Sequence, residues 1–233
     1  MKICVAQTKP IRGEVQKNIE NHKRLIDLAI KKEAEVIVFP ELSLTGYEPT
    51  LAKKLASTKD DKRFDVFQNL SDKNQITICV GMPTKNDLGT CISLVIFQSN
   101  QVRQIYSKKY LHSDEEAFFV SGENSIGLLQ NKITFAICYE ISIPEHSENA
   151  FRNGAKIYIA SVAKTKNGVE QATKTLSEIA KKYSMTALMS NSVGDSEDGV
   201  CTGKSAIWNK EGLLVEQLNE AEEGVLVFDC RVN

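Results

Sequence analysis

"KITFAICYEISIPEH", Lys132 to His146, is the stretch whose reading decides the fold. Its first half is an apolar run of strand length, rich in β-branched and aromatic residues. The run closes on Cys138, Tyr139 and Glu140, and Pro144 then stands where a helix can begin, because proline's fixed φ suits a first helical position. A strand that ends on reactive side chains and feeds a helix is a unit of α/β architecture, whose ligand sites lie where strands give way to loops. Whether Cys138 is one more buried thiol or a nucleophile at a strand tip depends on what other strands bring to the same end.

Working outward, short runs rich in Val and Ile recur along the chain: "KICVAQ", "EVIVFP", "ITICVGMP", "CISLVIFQ", "KIYIASV", "TALMSNSVG", "KSAIW" and "GVLVFD". Each is of strand length and is bounded by Gly, Pro, Asn or Asp. Ile19, His22, Ile26 and Ala29 recur at helical spacing before "EVIVFP", as do Ala172, Leu176, Ile179, Ala180 and Tyr183 before "TALMSNSVG". The middle of the chain reads as consecutive strands, with turn signals at "KNDLGT" and "QSNQ". Helices alternating with strands early and late, around a strand-rich middle, predict an α/β fold whose sheet is mixed rather than wholly parallel. No linker, composition shift or repeat divides the chain, so residues 1–233 are expected to form a single domain.

The totals exclude several classes. With 42% apolar and 25% charged residues the chain reads as globular, and Lys+Arg 29 against Asp+Glu 30 lacks the basic excess of a nucleic-acid binder. The opening "MKICVAQTKPIRG" turns polar too soon for a signal peptide, and no apolar run approaches the roughly 18 to 20 residues that cross a bilayer. A cytoplasmic protein without nucleic-acid or membrane partners is expected. The 6 cysteines are scattered, with no CxxC pair and no clustered His, so they read as reduced thiols and no metal site is expected. Cys4, Cys79, Cys91 and Cys230 lie in strand patterns and are assigned to the core; Cys201, in the Gly-flanked "DGVCTG", is expected to be more exposed. His22 falls on the apolar face of its helix and reads as packed core.

Three strand ends carry reactive groups. "EVIVFPELSLTGY" ends on Pro40 and Glu41, "QIYSKKYL" on Lys108 and Lys109, and "KITFAICYE" on Cys138. A thiol attacks as its thiolate, so it needs a base for its proton or a cation to favour its charge. Glu41 suits the base, with its pKa raised by burial. Lys108 suits the negative oxygen that develops when sulfur adds to a carbonyl or nitrile carbon, and the main-chain N–H of Tyr139 is a second candidate donor. A rival scheme makes His112 or His146 the base for Cys138.

These motifs resemble the nitrilase, or carbon-nitrogen hydrolase, superfamily. The likeness rests on "VIVFPELSLTGYEP", "YSKKYLHSDEEAFFVSG" and "AICYEISIPE" followed by "NGAKIYIASVA", and extends from "KICVAQTKP" to "SNSVG" and "GKSAIWNKEG". The resemblance implies a four-layer αββα sandwich with two mixed β-sheets, commonly a homodimer or higher homo-oligomer. It implies a Glu-Lys-Cys triad that cleaves non-peptide carbon-nitrogen bonds through a thioester and needs no cofactor. Residue by residue, Glu41 matches the general base, Lys108 the oxyanion-stabilising lysine (with Lys109 the alternative), Cys138 the nucleophile, and Glu115 an additional acid that orients lysine and substrate. Tyr47 matches a pocket loop and is a candidate substrate contact; Asn191 and Ser192 are candidate wall residues. The expected substrate is a small linear amide, with a nitrile or an N-carbamoyl compound as alternatives, and an inactive interaction subunit of the same fold as the reading outside enzymology. Ser107 stands where relatives often have Arg, and "IASVAKT" ends a strand that in relatives often ends in Pro, so the chain departs from the family pattern beside the pocket.

Overall fold

The Val/Ile runs fold into two sheets rather than one. In the first half of the chain, β1 (Lys2–Gln7), α1 (Val15–Lys31), β2 (Val36–Val38), α2 (Pro49–Leu55), α3 (Asp65–Asn74), β3 (Thr77–Asn86), β4 (Gly89–Phe97) and β5 (Gln104–Ser107) follow in order. Strands β1, β2 and β3 pair in parallel through helical crossovers, and β4 and β5 add as antiparallel hairpins. The second half supplies β6 (Ile133–Ile137), α4 (Pro144–Arg152), β7 (Ile157–Val162), α5 (Lys166–Tyr183), β8 (Thr186–Asn191), β9 (Val193–Ser196), β10 (Gly199–Thr202), β11 (Ala206–Trp208), β12 (Leu214–Gln217) and β13 (Gly224–Asp229). Here β6, β7 and β8 are parallel, β11 and β12 extend that sheet antiparallel, and β9 and β10 form a separate hairpin. The last strand crosses back to pair with β1, giving sheets ordered β13-β1-β2-β3-β4-β5 and β12-β11-β8-β7-β6. The structure, a computed structural model, describes residues 1–123 and 127–231.

The layering follows from which side chains are apolar on each face. Ile3, Val5, Val36, Val38, Ile92 and Leu94 of the first sheet meet Phe135, Ile137, Ile159 and Leu188 of the second in one inter-sheet core. The outer face of the first sheet packs under α1 and α3 through Ile37, Val95, Leu25, Ile26 and Phe67, and that of the second under α4 and α5 through Tyr158, Ala160, Ala150 and Leu176. Strands buried on both faces read as continuous apolar runs, and four layers result, αββα with mixed sheets, as expected. Two serines bind the sheets together near the strand ends. Ser190 Oγ donates to the carbonyls of Ala6 (2.6 Å) and Val38 (3.0 Å), and Ser161 Oγ to that of Phe39 (2.9 Å). The end of β2 is thereby registered against β7 and β8.

His22 is core, as its place on α1 predicts. Its Nδ1 donates to the Asn18 carbonyl (2.7 Å), its Nε2 accepts from Ser43 Oγ (2.9 Å), and its ring stacks on Phe39 at 4.1 Å. Burial pushes its pKa down to about 3, so it stays neutral. Cys4, Cys79 and Cys91 are buried, but two thiols depart from expectation: Cys201 is 3% exposed because β10 folds onto Thr165, and Cys230 is only half-buried. Among the described residues, no helix is long and apolar enough to cross a membrane.

Candidate active site

Strand ends deliver the site. The chain leaves β2 through Pro40 into a tight turn in which Glu41 is 1% exposed and Leu42 has a φ of 50°. That turn lies directly on β3 at Gly81, where a Cβ would fall 2.1 Å from the Pro40 carbonyl oxygen, so only glycine permits the approach. Gly81 N–H donates to Ser43 Oγ (3.2 Å), which links the turn to His22. Lys108 directly follows β5, with its N–H on the Ile92 carbonyl (2.8 Å) and its side chain fully buried. Cys138 directly follows β6 and opens a 3₁₀ turn over Cys138–Ser142 with a φ of 45°, a left-handed conformation rare outside glycine and concentrated at functional sites.

These three ends converge. Lys108 Nζ donates to Glu41 Oε1 (3.0 Å) and to Glu115 Oε1 (2.6 Å). Glu115 is held in turn by the Tyr47 hydroxyl (2.9 Å to Oε1) and the His112 N–H (2.8 Å to Oε2). Tyr47, Lys108, Glu115, Cys138, Tyr139 and Lys164 all line one cavity of about 200 Å³. Burial, reinforced by Glu115 and opposed by Lys108, pushes the Glu41 carboxyl up to about 7. Burial would lower Lys108, but Glu41, Cys138 and Glu115 outweigh it and hold the ammonium above the ordinary lysine range. Burial and the Glu41 charge push the Cys138 thiol up to about 11, against Lys164 and Lys108, so the resting sulfur keeps its proton at neutral pH. Glu41 Oε2 is buried and has no hydrogen-bond partner among the described residues.

The sequence model of the carbon-nitrogen hydrolases matches residues 2–233. This chain belongs to the carbon-nitrogen hydrolase family. It is 24% identical to "Hydrolase in agr operon" of Staphylococcus aureus over 241 residues, covering 100% of this chain and 92% of that protein. It is also 26% identical to a glutamine-dependent NAD(+) synthetase of Acinetobacter baylyi, matching 95% of this chain but only 42% of that longer protein. In three dimensions it is similar to the amidase of Nesterenkonia sp. AN1 solved in complex with butyramide, with a TM-score of 0.89 at 20% identity over 100% of this chain and 91% of that one. That likeness is one of fold.

Within this carbon-nitrogen hydrolase the remaining candidates sort themselves by contact. Lys109 is exposed, with its ammonium 5.3 Å from the centre of the Tyr110 ring, and Glu116 is exposed, so Lys108 and Glu115 are the members of each pair that enter the site. The Tyr47 hydroxyl is committed to Glu115, leaving its ring for a ligand. The Tyr139 side chain lines the cavity beside Cys138. His146 is tied into another network: the Tyr106 hydroxyl donates to Glu140 Oε2 (2.8 Å) and accepts from His146 Nε2 (2.9 Å), whose Nδ1 accepts from Tyr158 (2.8 Å). His112 is exposed at the mouth with Nδ1 on Asp114 at 2.6 Å. Among the contacts of the described residues, neither histidine pairs with Cys138. Asn191 is buried behind the wall, where its side chain holds the main chain of Lys164.

Sequence reasoning missed what Glu140 does. Fully buried, it accepts from the main-chain N–H of Ile137 (2.8 Å to Oε2) and of Lys109 (2.7 Å to Oε1). One carboxylate thus clamps the residue before Cys138 to the residue after Lys108. The available signal was an acid leaving an apolar strand, which needs several donors to be buried.

Proposed function

We propose that this chain hydrolyses a small linear amide to its acid and ammonia, with Cys138 as nucleophile, Glu41 as general base and acid, Lys108 as oxyanion donor and Glu115 as the group that orients Lys108. The observation that carries the reading is the burial of one ammonium between two carboxylates on the wall of a cavity that also holds the thiol. An amide is placed ahead of a nitrile or an N-carbamoyl compound because the similar fold solved with butyramide is an amidase.

The roles follow from the charges. Sulfur adds to the amide carbon as its proton passes to Glu41; the carbonyl oxygen becomes an oxyanion facing Lys108, whose ammonium has three N–H bonds and spends two on carboxylates. The Tyr139 N–H is the second donor. The adduct collapses as Glu41 returns the proton to nitrogen, the carbon-nitrogen bond breaks and ammonia leaves a Cys138 thioester. Glu41 then takes a proton from water, whose oxygen adds to the thioester; the acid departs and the thiol is restored. The reading keeps the cytoplasmic location expected from the sequence and the homodimer or higher homo-oligomer that the family resemblance implies, with sedimentation as the check on assembly.

An ammonia-release assay over small amides, nitriles and carbamoyl compounds tests the activity. Cys138→Ala should release none, and Glu41→Gln should form no acyl-enzyme by intact mass, whereas His112→Ala should still acylate. Ammonia release by Cys138→Ala, or wild-type acylation by Glu41→Gln, would refute the assignment.

A further inference from the structure

Lys164 is a cation of the cavity that the proposed reaction leaves unused. It follows β7, and its stem lies over the first turn of α5: a Cβ built at Gly168 would meet Lys164 Cβ, Cγ and Cδ at 3.3, 3.4 and 3.6 Å. Glycine is among the poorest helix formers. Here the bare backbone leaves the space along which the stem runs. The root of the side chain is fixed. Its main-chain N–H donates to Asn191 Oδ1 (2.8 Å), and its carbonyl accepts from Asn191 Nδ2 (3.2 Å) and the Thr202 N–H (3.1 Å). Asn191 itself is fully buried, and its Nδ2 also donates to the Gly203 carbonyl (2.7 Å).

Among the described residues, Lys164 Nζ makes no hydrogen bond and no ion pair, in contrast to Lys108, which two carboxylates share. Lys164 lines the cavity with Cys138, and its charge lowers the proton affinity of both Cys138 and Glu41. The other charges of the wall are placed differently: Asp114 is engaged by His112 at 2.6 Å, and Asp198 feels the negative charges of Asp114 and Glu115. An anionic ligand group is repelled from the Asp114 and Asp198 side and attracted to Lys164. A half-buried, rooted and unpaired ammonium beside a nucleophile is the counter-charge for an acid on the substrate.

We infer that the site selects amides whose acyl chain ends in a carboxylate, which pairs with Lys164 while Cys138 attacks the amide carbon. This deepens the amidase reading and rests on it. The test compares kcat/KM for glutaramate and for valeramide, in which a methyl replaces the carboxylate, in the wild type and in Lys164→Met, which keeps the length of the side chain without its charge. The wild type should favour glutaramate at least tenfold, and Lys164→Met should reduce that preference at least tenfold, chiefly through KM. Equal use of the two amides by the wild type, or a preference unchanged in Lys164→Met, overturns the inference. So does an equal loss on both amides with a displaced pH profile, which would place Lys164 on the thiol rather than on the substrate. Alkylation of Cys138 separates this from the amidase reading, because it needs no turnover. The rate ratio of iodoacetate to iodoacetamide should fall severalfold in Lys164→Met. If neither amide releases ammonia, the amidase reading fails by itself and this ratio decides: a fall upholds the anion subsite, and no change refutes it.

Discussion

Replacing Gly81 by alanine asks whether the turn bearing Glu41 is placed by its seat on β3 or by its own charge pairing. The new Cβ would lie 2.1 Å from the Pro40 carbonyl oxygen, 2.5 Å from Leu42 N and 2.8 Å from Ser43 N, all main-chain atoms that cannot swing aside. Ordinary contact begins at 3.4 Å, so the Pro40 oxygen has to retreat by about 1.3 Å. The strand cannot yield instead, since Gly81 pairs with Leu94 of β4 and its carbonyl accepts from Leu44 N (3.0 Å). A displacement of that size carries Glu41 Oε1 from 3.0 Å to beyond hydrogen-bond reach of Lys108. Misplacing a reacting group by about 1 Å costs on the order of 100-fold in rate. Overpacking costs about 2 kcal/mol, or roughly 4–8 °C in Tm for a chain of this size. Single-turnover acylation of Cys138 followed by intact mass, with calorimetry in parallel, should therefore give a folded variant of lowered Tm that acylates about 100-fold more slowly. A lowered Tm with an undiminished acylation rate would refute the argument, because Glu41 would then be placed without Gly81.

Three further outcomes follow from the same contacts. Glu41 accepts a proton only when ionised, and burial raises its pKa to about 7, so kcat/KM should fall tenfold per pH unit below about 7; an acid limb near the ordinary glutamate value would contradict this. Tyr47→Phe removes one donor from the Glu115 carboxylate, a bond worth about 1.5–3 kcal/mol, and should lower kcat by roughly 10- to 100-fold with KM little changed; a loss confined to KM would make Tyr47 a substrate contact only. Glu140→Gln turns a carboxylate that receives the main-chain N–H groups of Ile137 and Lys109 into a side chain with a donor of its own, so Tm and kcat should fall together, by about 1–3 kcal/mol in stability; a normal Tm would deny Glu140 its clamping part.

Much of the fold was legible because most strands are buried on both faces, so β3, β4, β7 and β8 stand out as continuous apolar runs. Elements with one thin apolar contact gave no such signal. Helix α3 buries only Phe67 and Ser71, and β12 is exposed along its whole length. The division into two sheets was not readable from the strands themselves, because it depends on pairings as distant as Lys2 with Asp229. Cys201 was misread because glycines on either side suggest an open turn, whereas the hairpin of β9 and β10 folds down onto Thr165. Glu41, Lys108 and Cys138 were legible as reactive groups ending apolar strands. The part played by Glu140 was not, since the main-chain donors Lys109 and Ile137 lie 28 residues apart in sequence and meet only after folding.

The charges of the site explain why one lysine is shared by two acids. Glu41, Glu115 and Lys108 have side chains no more than 3% exposed, and buried charges cost several kcal/mol each unless they are paired and hydrogen-bonded. Sharing one ammonium leaves a single surplus negative charge on these three groups, which adds to burial in holding the Cys138 thiol in its protonated form. In the proposed attack the proton goes from sulfur to Glu41, whose Oε2 has no partner among the described residues, and the negative charge reappears on the adduct oxygen. The charge of the cavity does not change; it moves toward Lys108. At that moment Glu41 is neutral, and Glu115, at 2.6 Å, is the carboxylate partner left to the ammonium. Glu115→Gln should therefore leave Lys108 without an anionic anchor when the oxyanion forms. Loss of a positioned oxyanion donor costs about 100-fold or more in kcat, so single-turnover acylation should slow by that order while KM changes less. A Glu115→Gln variant that acylates at more than half the wild-type rate would mean that Glu41 alone positions the lysine.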